Sequence, residues 1–399
     1  MPGFFTRLTR RVFIALTVAV LAAVAGLALY LHQGGSLRDL AARCSGLASR
    51  ADGLIDQARD VAGRAEPQVE KIESLLPALP GAGGPGPFTA AEGRIAVYFA
   101  PVEPGQRNGI DGEFLDLIES AEESIHCAFF DLEWAEAAEA LVAKHEAGVD
   151  VAIVSDSEYE GREAVQACIR AGIPVVFDKR NAFMHNKFCV VDGLRVWSGS
   201  TNITSNGLFR NNNNALLIES QELAIDYTGE FQEMFRDSRF GPRSPANTLI
   251  PVLRVGEVTV ECYFAPEDDV ADEIVAEIKA ATRQIEFMAF AFTSTDIAKA
   301  MAGRMKKGVR VRGLFEERGA GSRYSRDEYL AERGAEIHLD RNTYTMHHKV
   351  IVIDAATVVT GSYNLSQSAE KDNDENVLIV HSAEVAARYI EEFERLIAP

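Results

Sequence analysis

Two stretches decide the fold: MHNKFCVVDGLRVWSGSTN over residues 184–202 and MHHKVIVIDAATVVTGSYN over residues 346–364. In each, lysine follows histidine by two positions, aspartate by seven, Gly-Ser by fourteen and fifteen, and asparagine by seventeen. Residues i and i+2 of an extended strand share a face, so His185 projects with Lys187 and His347 with Lys349. Phe188 to Val191 and Val350 to Ile353 continue as buried strand, and after a turn a second strand runs into Gly-Ser-x-Asn. If the two strands pair, the His, Lys, Ser and Asn of one copy converge on one pocket. A lone His-x-Lys on a strand is ordinary surface chemistry. Two copies sharing five positions at identical offsets point to function.

Outward from the cassettes the chain keeps repeating itself. Tyr-Phe-Ala-Pro stands at 98–101 and again at 263–266, and SIHCAFFDLEW from Ser124 matches QIEFMAFAFTS from Gln284. Helical segments ending at Gly148 and Gly308 lead into the strands VDVAIVSD and VRVRGLFEE. Near-continuous apolar strands alternating with amphipathic helices imply α/β layering around a largely buried sheet. The expectation is two similar α/β domains, 89–247 and 248–399.

The cassette residues suit a phosphate. Lys187 and Lys349 supply charge, while Ser200, Asn202, Ser362 and Asn364 donate neutral hydrogen bonds. A histidine can attack phosphorus or exchange a proton near neutral pH. With two, the work divides: one becomes a phosphohistidine, and the other protonates the leaving oxygen and then activates water. This chemistry requires no metal and no cofactor.

These residues resemble the phospholipase D superfamily, with its HxKxxxxD and downstream GSxN motifs, over about 300 residues from Arg94 onward. The resemblance implies a pseudo-twofold pair of α/β domains sharing one active site at their junction. It assigns His185 and His347 as the catalytic pair, Lys187, Lys349, Asn202 and Asn364 to phosphate, and Ser200 and Ser362 to their support. Asp192 and Asp354 complete the catalytic motif, although in the family that aspartate is more often a structural partner. An acidic residue further downstream orients a catalytic histidine. Glu375 fills that place in the second copy, 28 after His347, whereas the first copy has Asn213. The two histidines are therefore unequal. Family geometry has the acid reach across the pseudo-twofold axis, which makes His185 the nucleophile, His347 the acid, and Asn213 a supporting group.

Before the repeats, Arg7, Arg10 and Arg11 precede an apolar run from Val12 to Leu31, about the 20 residues that cross a bilayer core. The run is longer than a signal-peptide core and lacks a small-x-small site, so a single-pass anchor is expected over residues 1–32. The flanking arginines place the catalytic domains in the periplasm or exterior. Leu40, Leu47, Leu54 and Val61 recur every seven residues, a helical stalk over 33–76 with a seam for self-association. PALPGAGGPGPF reads as a linker over 77–88.

A net charge of -19, from 59 acidic and 40 basic side chains, disfavours a broad grip on nucleic acid. The five cysteines show no ligand spacing, which argues against a zinc site or a disulfide framework. His126, His145, His338 and His381 have no motif partners and read as structural or solvated. Trp134 and Trp197 read as packing residues, with Trp134 able to line the pocket mouth. The anchor favours hydrolysis of membrane phospholipid. The second half also resembles the branch containing small bacterial nucleases and the mitochondrial cardiolipin hydrolase, so an anchored nuclease is the alternative. A phosphatidyl transferase like cardiolipin synthase and a non-catalytic scaffold complete the set.

Overall fold

The computed structural model describes residues 88–105 and 109–398, which belong to one compact unit spanning Pro85–Pro399. The expected anchor, stalk and most of the linker, with Cys44, lie outside the described residues. Among those described, no helix is long and apolar enough to cross a membrane. The first strand starts at Phe88, one residue inside the expected linker.

Each half contributes eight strands to its own sheet. The first comprises β1 (Phe88–Ala90), β2 (Ile95–Ala100), β3 (Ser124–Phe129), β4 (Asp150–Ser155), β5 (Val175–Phe177), β6 (Lys187–Val191), β7 (Arg195–Gly199) and β8 (Asn213–Glu219). The second comprises β9 (Val252–Val255), β10 (Val258–Ala265), β11 (Gln284–Ala289), β12 (Arg310–Phe315), β13 (Glu336–Leu339), β14 (Lys349–Ile353), β15 (Thr357–Gly361) and β16 (Glu375–His381). The order is β1-β2-β8-β7-β6-β3-β4-β5 in one sheet, and β9-β10-β16-β15-β14-β11-β12-β13 in the other. The orders are identical under the sequence repeat. Only β3-β4-β5 and β11-β12-β13 pair in parallel, so the sheets are mixed.

The cassette strands pair as the sequence suggests: Val190 lies opposite Val196, and Val352 opposite Val358. The first strand of each cassette is buried along its whole length, which is why beyond its lysine it reads as an unbroken apolar run. Two glycines let the strands close. A Cβ on Gly199, at φ 151, would stand 2.4 Å from the Asn214 carbonyl, and one on Gly361, at φ 146, would stand 2.2 Å from that of Asn376. The glycine of the Gly-Ser motif is thus a backbone requirement, and it aims the following serine inward.

Two long helices, α1 (Gln221–Phe235) and α2 (Ala383–Ile397), follow the last strand of each half. Each opens on a serine, Ser220 or Ser382, whose hydroxyl accepts from the amide of Leu223 or Val385. Their apolar faces enter a core drawn from both halves, with Tyr227, Phe231 and Met234 beside Tyr389, Phe393 and Phe264. Outer cores form on the opposite face of each sheet, around Phe114, Leu117 and Trp197 in one half and Ile274, Phe287 and Met301 in the other. The shared layer makes the two expected domains one packed body, with the cassettes turned toward the junction.

Candidate active site

The junction is stitched by backbone at the first residues of each cassette. The amide of His185 donates to the Asp374 carbonyl at 2.9 Å, and that of His347 to the Asn212 carbonyl at 2.8 Å. Each loop thus begins as a strand fragment on the segment preceding the other half's last strand, Met184 beside Asp374 and Met346 beside Asn212. Acidic side chains clamp the same turns, Asp156 on the amide of Met184 and Glu316 on that of Met346.

This crossing decides what stands behind each ring. His185 Nδ1 meets Glu375 Oε2 at 2.7 Å, across the junction. His347 Nδ1 meets Asn213 Oδ1 at 2.9 Å and the Ser200 carbonyl at 3.0 Å. Glu375 also accepts from the Ser362 hydroxyl at 2.6 Å and the Asn373 amide at 3.1 Å. Asn213 accepts from the Ser200 hydroxyl at 2.9 Å and donates to the Gly207 carbonyl at 3.0 Å. The amide therefore presents its oxygen to His347, which fixes the ring proton on Nδ1 and leaves Nε2 free. The same tautomer follows for His185 from the carboxylate.

The lysines lie under the histidines. Lys187 Nζ donates to the His185 carbonyl at 2.6 Å and sits 4.9 Å from the Phe130 ring, and Lys349 repeats this with His347 and Phe290 at 2.8 and 4.9 Å. The same phenylalanines stand edge-on to His185 and His347, 4.8 and 4.9 Å away. The motif spacing does not single out Phe130 or Phe290. Their signal was present, since each stands one residue beyond the matched strand of its repeat, at the end of CAFF and FMAF.

Two expectations are corrected. Ser200 and Ser362 were placed with the phosphate-binding groups, but each hydroxyl proton is donated to Asn213 or Glu375. Each oxygen accepts from the amide of Asn214 or Asn376, both at 3.0 Å. A hydroxyl has one proton, and here it orients the group behind a histidine. Asp192 and Asp354, grouped with the catalytic residues, stand five positions beyond the lysines, about 17 Å along the strand. There Asp192 gathers the amides of Glu122, Glu123 and Ser124, and Asp354 those of Thr282, Arg283 and Gln284. They cap turns at the far end of the sheet. Asn202 and Asn364 each retain one buried amide oxygen without a partner, a matched unsatisfied pair.

The histidines and lysines of the site are buried, and burial sets their charge states. His185 and His347 are 5% and 8% exposed, so only a ring edge reaches solvent. Burial pushes His185 down to about 4, against the pull of Glu375. Burial and the neighbouring Lys349, Lys187 and His185 push His347 well below the ordinary value. Burial lowers Lys187 to about 7, and burial with repulsion from Lys187 holds Lys349 well below its ordinary range. For Glu375 burial raises the pKa, but His185, Lys187 and Ser362 outweigh it and hold the carboxyl below its usual range. A charged Glu375 beside a neutral His185 is the state that its three donors support. Glu375, with Asp131 and Asp156 acting on Lys187, faces four potential cations, and an entering phosphodiester anion adds the negative charge that favours their protonated forms.

The other expectations fall outside this centre. His126, His338 and His381 pair with Asp150, Glu336 and Glu261. Trp134 is buried against Phe209, not at a mouth, and Trp197 is buried between Tyr98 and Phe114. Cys127, Cys168, Cys189 and Cys262 are buried and free. Among the described residues, the acidic or histidine groups close enough to share an ion are Glu261, Glu277 and His381, and Glu230, Glu233 and Glu267. Neither includes a cassette histidine.

The family model "Cardiolipin synthase, PLD-like domain" matches residues 114–235 and 274–397, one stretch in each half. A protein named Phospholipase D from Rickettsia bellii is 27% identical over 166 residues, which cover 42% of this chain and 82% of its own. Mitochondrial cardiolipin hydrolase from Xenopus laevis is 30% identical over 152 residues, 38% of this chain and 72% of its own. The solved phosphatidylserine synthase of Haemophilus influenzae Rd KW20 is 16% identical and shares the fold, with a TM-score of 0.58 over 78% of this chain and 88% of that one. With both halves matched, the chain belongs to the PLD-like domain family and is a phosphodiester hydrolase of that family.

Proposed function

We propose that this chain is a membrane-anchored phospholipase D-type hydrolase that cleaves a phospholipid through a phosphohistidine on His185. The observation that carries the reading is the unlike backing of the two rings, Glu375 behind His185 and Asn213 behind His347. When His185 Nε2 bonds to phosphorus its ring becomes cationic, and the carboxylate at Nδ1 stabilises that charge. An amide cannot. The bond to the leaving alcohol then breaks, and its oxygen takes a proton from His347. The phosphate anion, in entering, gives His347 the counter-charge it lacks in the free enzyme, so the ring gains its proton as substrate binds. In the second step His347 Nε2 takes a proton from water, the water oxygen bonds to phosphorus, and the bond to His185 breaks. Lys187, Lys349, Asn202 and Asn364 hold the phosphoryl oxygens.

Three features support lipid over nucleic acid. The run from Val12 to Leu31 would hold the enzyme beside a bilayer, its catalytic halves on the extracytoplasmic side. The net charge of -19 opposes a long polyanion. Phe183 and Tyr344, 41% and 45% exposed, flank the two histidine loops as apolar groups facing solvent.

The test incubates the full chain with labelled phospholipid vesicles and, separately, with single-stranded and duplex DNA, then maps the phosphorylated histidine after a denaturing alkaline quench. Release of a lipid headgroup and phosphate on His185 are expected. Cleavage of DNA alone would overturn the lipid reading, and phosphate on His347 would reverse the roles.

A further inference from the structure

Behind each cassette the long helix of its half offers a buried carboxylate to the residue between histidine and lysine. In the second half this is Glu392, which meets His348 Nε2 at 3.4 Å. In the first half it is Glu230, which accepts from Asn186 Nδ2 at 3.1 Å. The two helices are related by the 162-residue offset that relates His185 to His347, so Glu392 answers Glu230 and Arg395 answers Glu233. Arg395 holds Glu392 with two short bonds, at 2.7 and 2.8 Å. The first half has glutamate where the second has its arginine. In the Tyr-Phe-Ala-Pro repeat the following residue is Val102 in one half and Glu267 in the other. Glu267 joins Glu230 and Glu233, and oxygens of all three lie within 4.8 Å of one another.

A neutral ion pair in one half thus corresponds to three carboxylates in the other. Among the described residues no Lys or Arg forms an ion pair with them, although Arg239 lies near enough to Glu233 to oppose its burial. Glu233 is 4% exposed, and its Oε1 has no partner. Oε2 of Glu267 is buried with no donor from another residue type, its carboxyl lying against that of Glu230. A buried carboxylate is destabilising unless it is paired, and these three have no cationic side chain in ion-pair contact among the described residues. Burial, with Glu267 and Glu233 beside it, raises Glu230 well above the carboxylate range, and burial raises Glu267 to about 8. Both shifts express burial and the crowding of like charges.

We propose that Glu230, Glu233 and Glu267 bind one hard divalent cation, Ca²⁺ by preference, which takes the place that Arg395 fills in the second half. Oxygens within 4.8 Å of one another suit a single ion with oxygen ligands at about 2.3–2.6 Å. Glu230 and Glu233 come from one helical face, three residues apart, and Glu267 comes from the other half of the molecule, so the ion would pin the two halves together. Its influence reaches the active site by direct contacts. Glu230 holds Asn186, Asn186 accepts from Asn376 at 2.7 Å, and these two flank His185 and Glu375 in sequence. The half-buried Glu267 provides the route of entry.

The full chain, stripped with chelator, is titrated with Ca²⁺ and in a second arm with Mg²⁺ by calorimetry, and melting is followed in parallel. Expected is one Ca²⁺ per chain with a rise in melting temperature. Glu267→Gln weakens binding by tenfold or more. Glu233→Arg rebuilds the arrangement of the second half: the Ca²⁺ response disappears, and the ion-free protein melts higher than the stripped wild type. Lack of saturable binding of either ion up to millimolar concentration at pH 8 would assign the cluster to protons and overturn the proposal. Wild-type affinity in both variants would do the same. If Glu233→Arg does not fold, Glu267→Gln decides alone.

Discussion

The surroundings of His185 and His347 make a comparison that the molecule itself controls. Both rings stand at the start of the same strand in the same sheet order, over a lysine and against a phenylalanine. They differ behind Nδ1, a carboxylate oxygen of Glu375 against the neutral oxygens of the Asn213 amide and the Ser200 carbonyl. Shared geometry with unequal charge separates positioning from stabilisation. Either neighbour can fix a tautomer and aim a ring, but only the anion can compensate a ring that becomes permanently cationic.

The largest effect should come from removing each ring in turn. His185→Ala should lose activity by roughly four orders of magnitude and yield no phosphoenzyme. His347→Ala should lose a similar factor on a lipid, yet recover much of it, and accumulate phosphate on His185, with a phosphodiester whose leaving group needs no proton. The reverse pattern in a quench experiment would break the comparison at its root.

Next in size is the exchange of the backing groups. Glu375→Gln gives the His185 side a neutral amide like that behind His347 and should lower turnover by roughly 10²–10³-fold. Loss in KM alone would show Glu375 to be a binding group. Asn213→Glu should raise the pKa of His347, read by NMR titration of its ring.

Proton linkage gives a third test. His185 at about 4 in the folded chain ordinarily titrates near 6.5, so between those values the unfolded chain binds more protons. Stability contributed there is present above about 6.5 and falls as pH drops toward 4, as denaturant melts across that window should record. An oxyanion mimic of phosphate should take up protons on binding near pH 7.5, because it restores the charged forms of Lys187 and Lys349. Calorimetry in buffers of different ionisation enthalpy measures this, and zero uptake would mean that the lysines are already charged.

The smallest effect separates the two serines. Ser362→Ala removes a bond to a carboxylate, about 1.5–3 kcal/mol, whereas Ser200→Ala removes one to a neutral amide, about 0.5–1.5 kcal/mol. Equal losses in denaturant midpoint would mean that Glu375 is not charged in the free enzyme.

Much of this was legible in the chain. The cassettes carried the strand pairing, the inward histidines and lysines, and the inequality of Glu375 and Asn213, because an i, i+2 pattern and a repeat offset are properties of sequence alone. The crossing of Glu375 to His185 needed the family resemblance, since nothing local tells a carboxylate which half it will face. The serines were misjudged because a hydroxyl beside a phosphate site and one behind a histidine look identical in sequence. Their direction is set by the backbone amides of Asn214 and Asn376, which arrive from another strand. Asp192 and Asp354 were drawn into the catalytic set by motif membership, although counting along an extended strand already put them at the other end. Phe130 and Phe290 went unnoticed because an aromatic at a strand end reads first as core.

The backbone crossing at the junction, where each histidine loop is seated on a segment of the other half, has a consequence for how such a site can change over time. Two identical halves meeting this way would receive every substitution twice, so a carboxylate could not back one ring without backing both. Once both halves lie on a single chain, each copy can mutate alone. Division of labour between Glu375 and Asn213, and between Arg395 and Glu233, is then open to the chain at the cost of one change instead of two coupled ones.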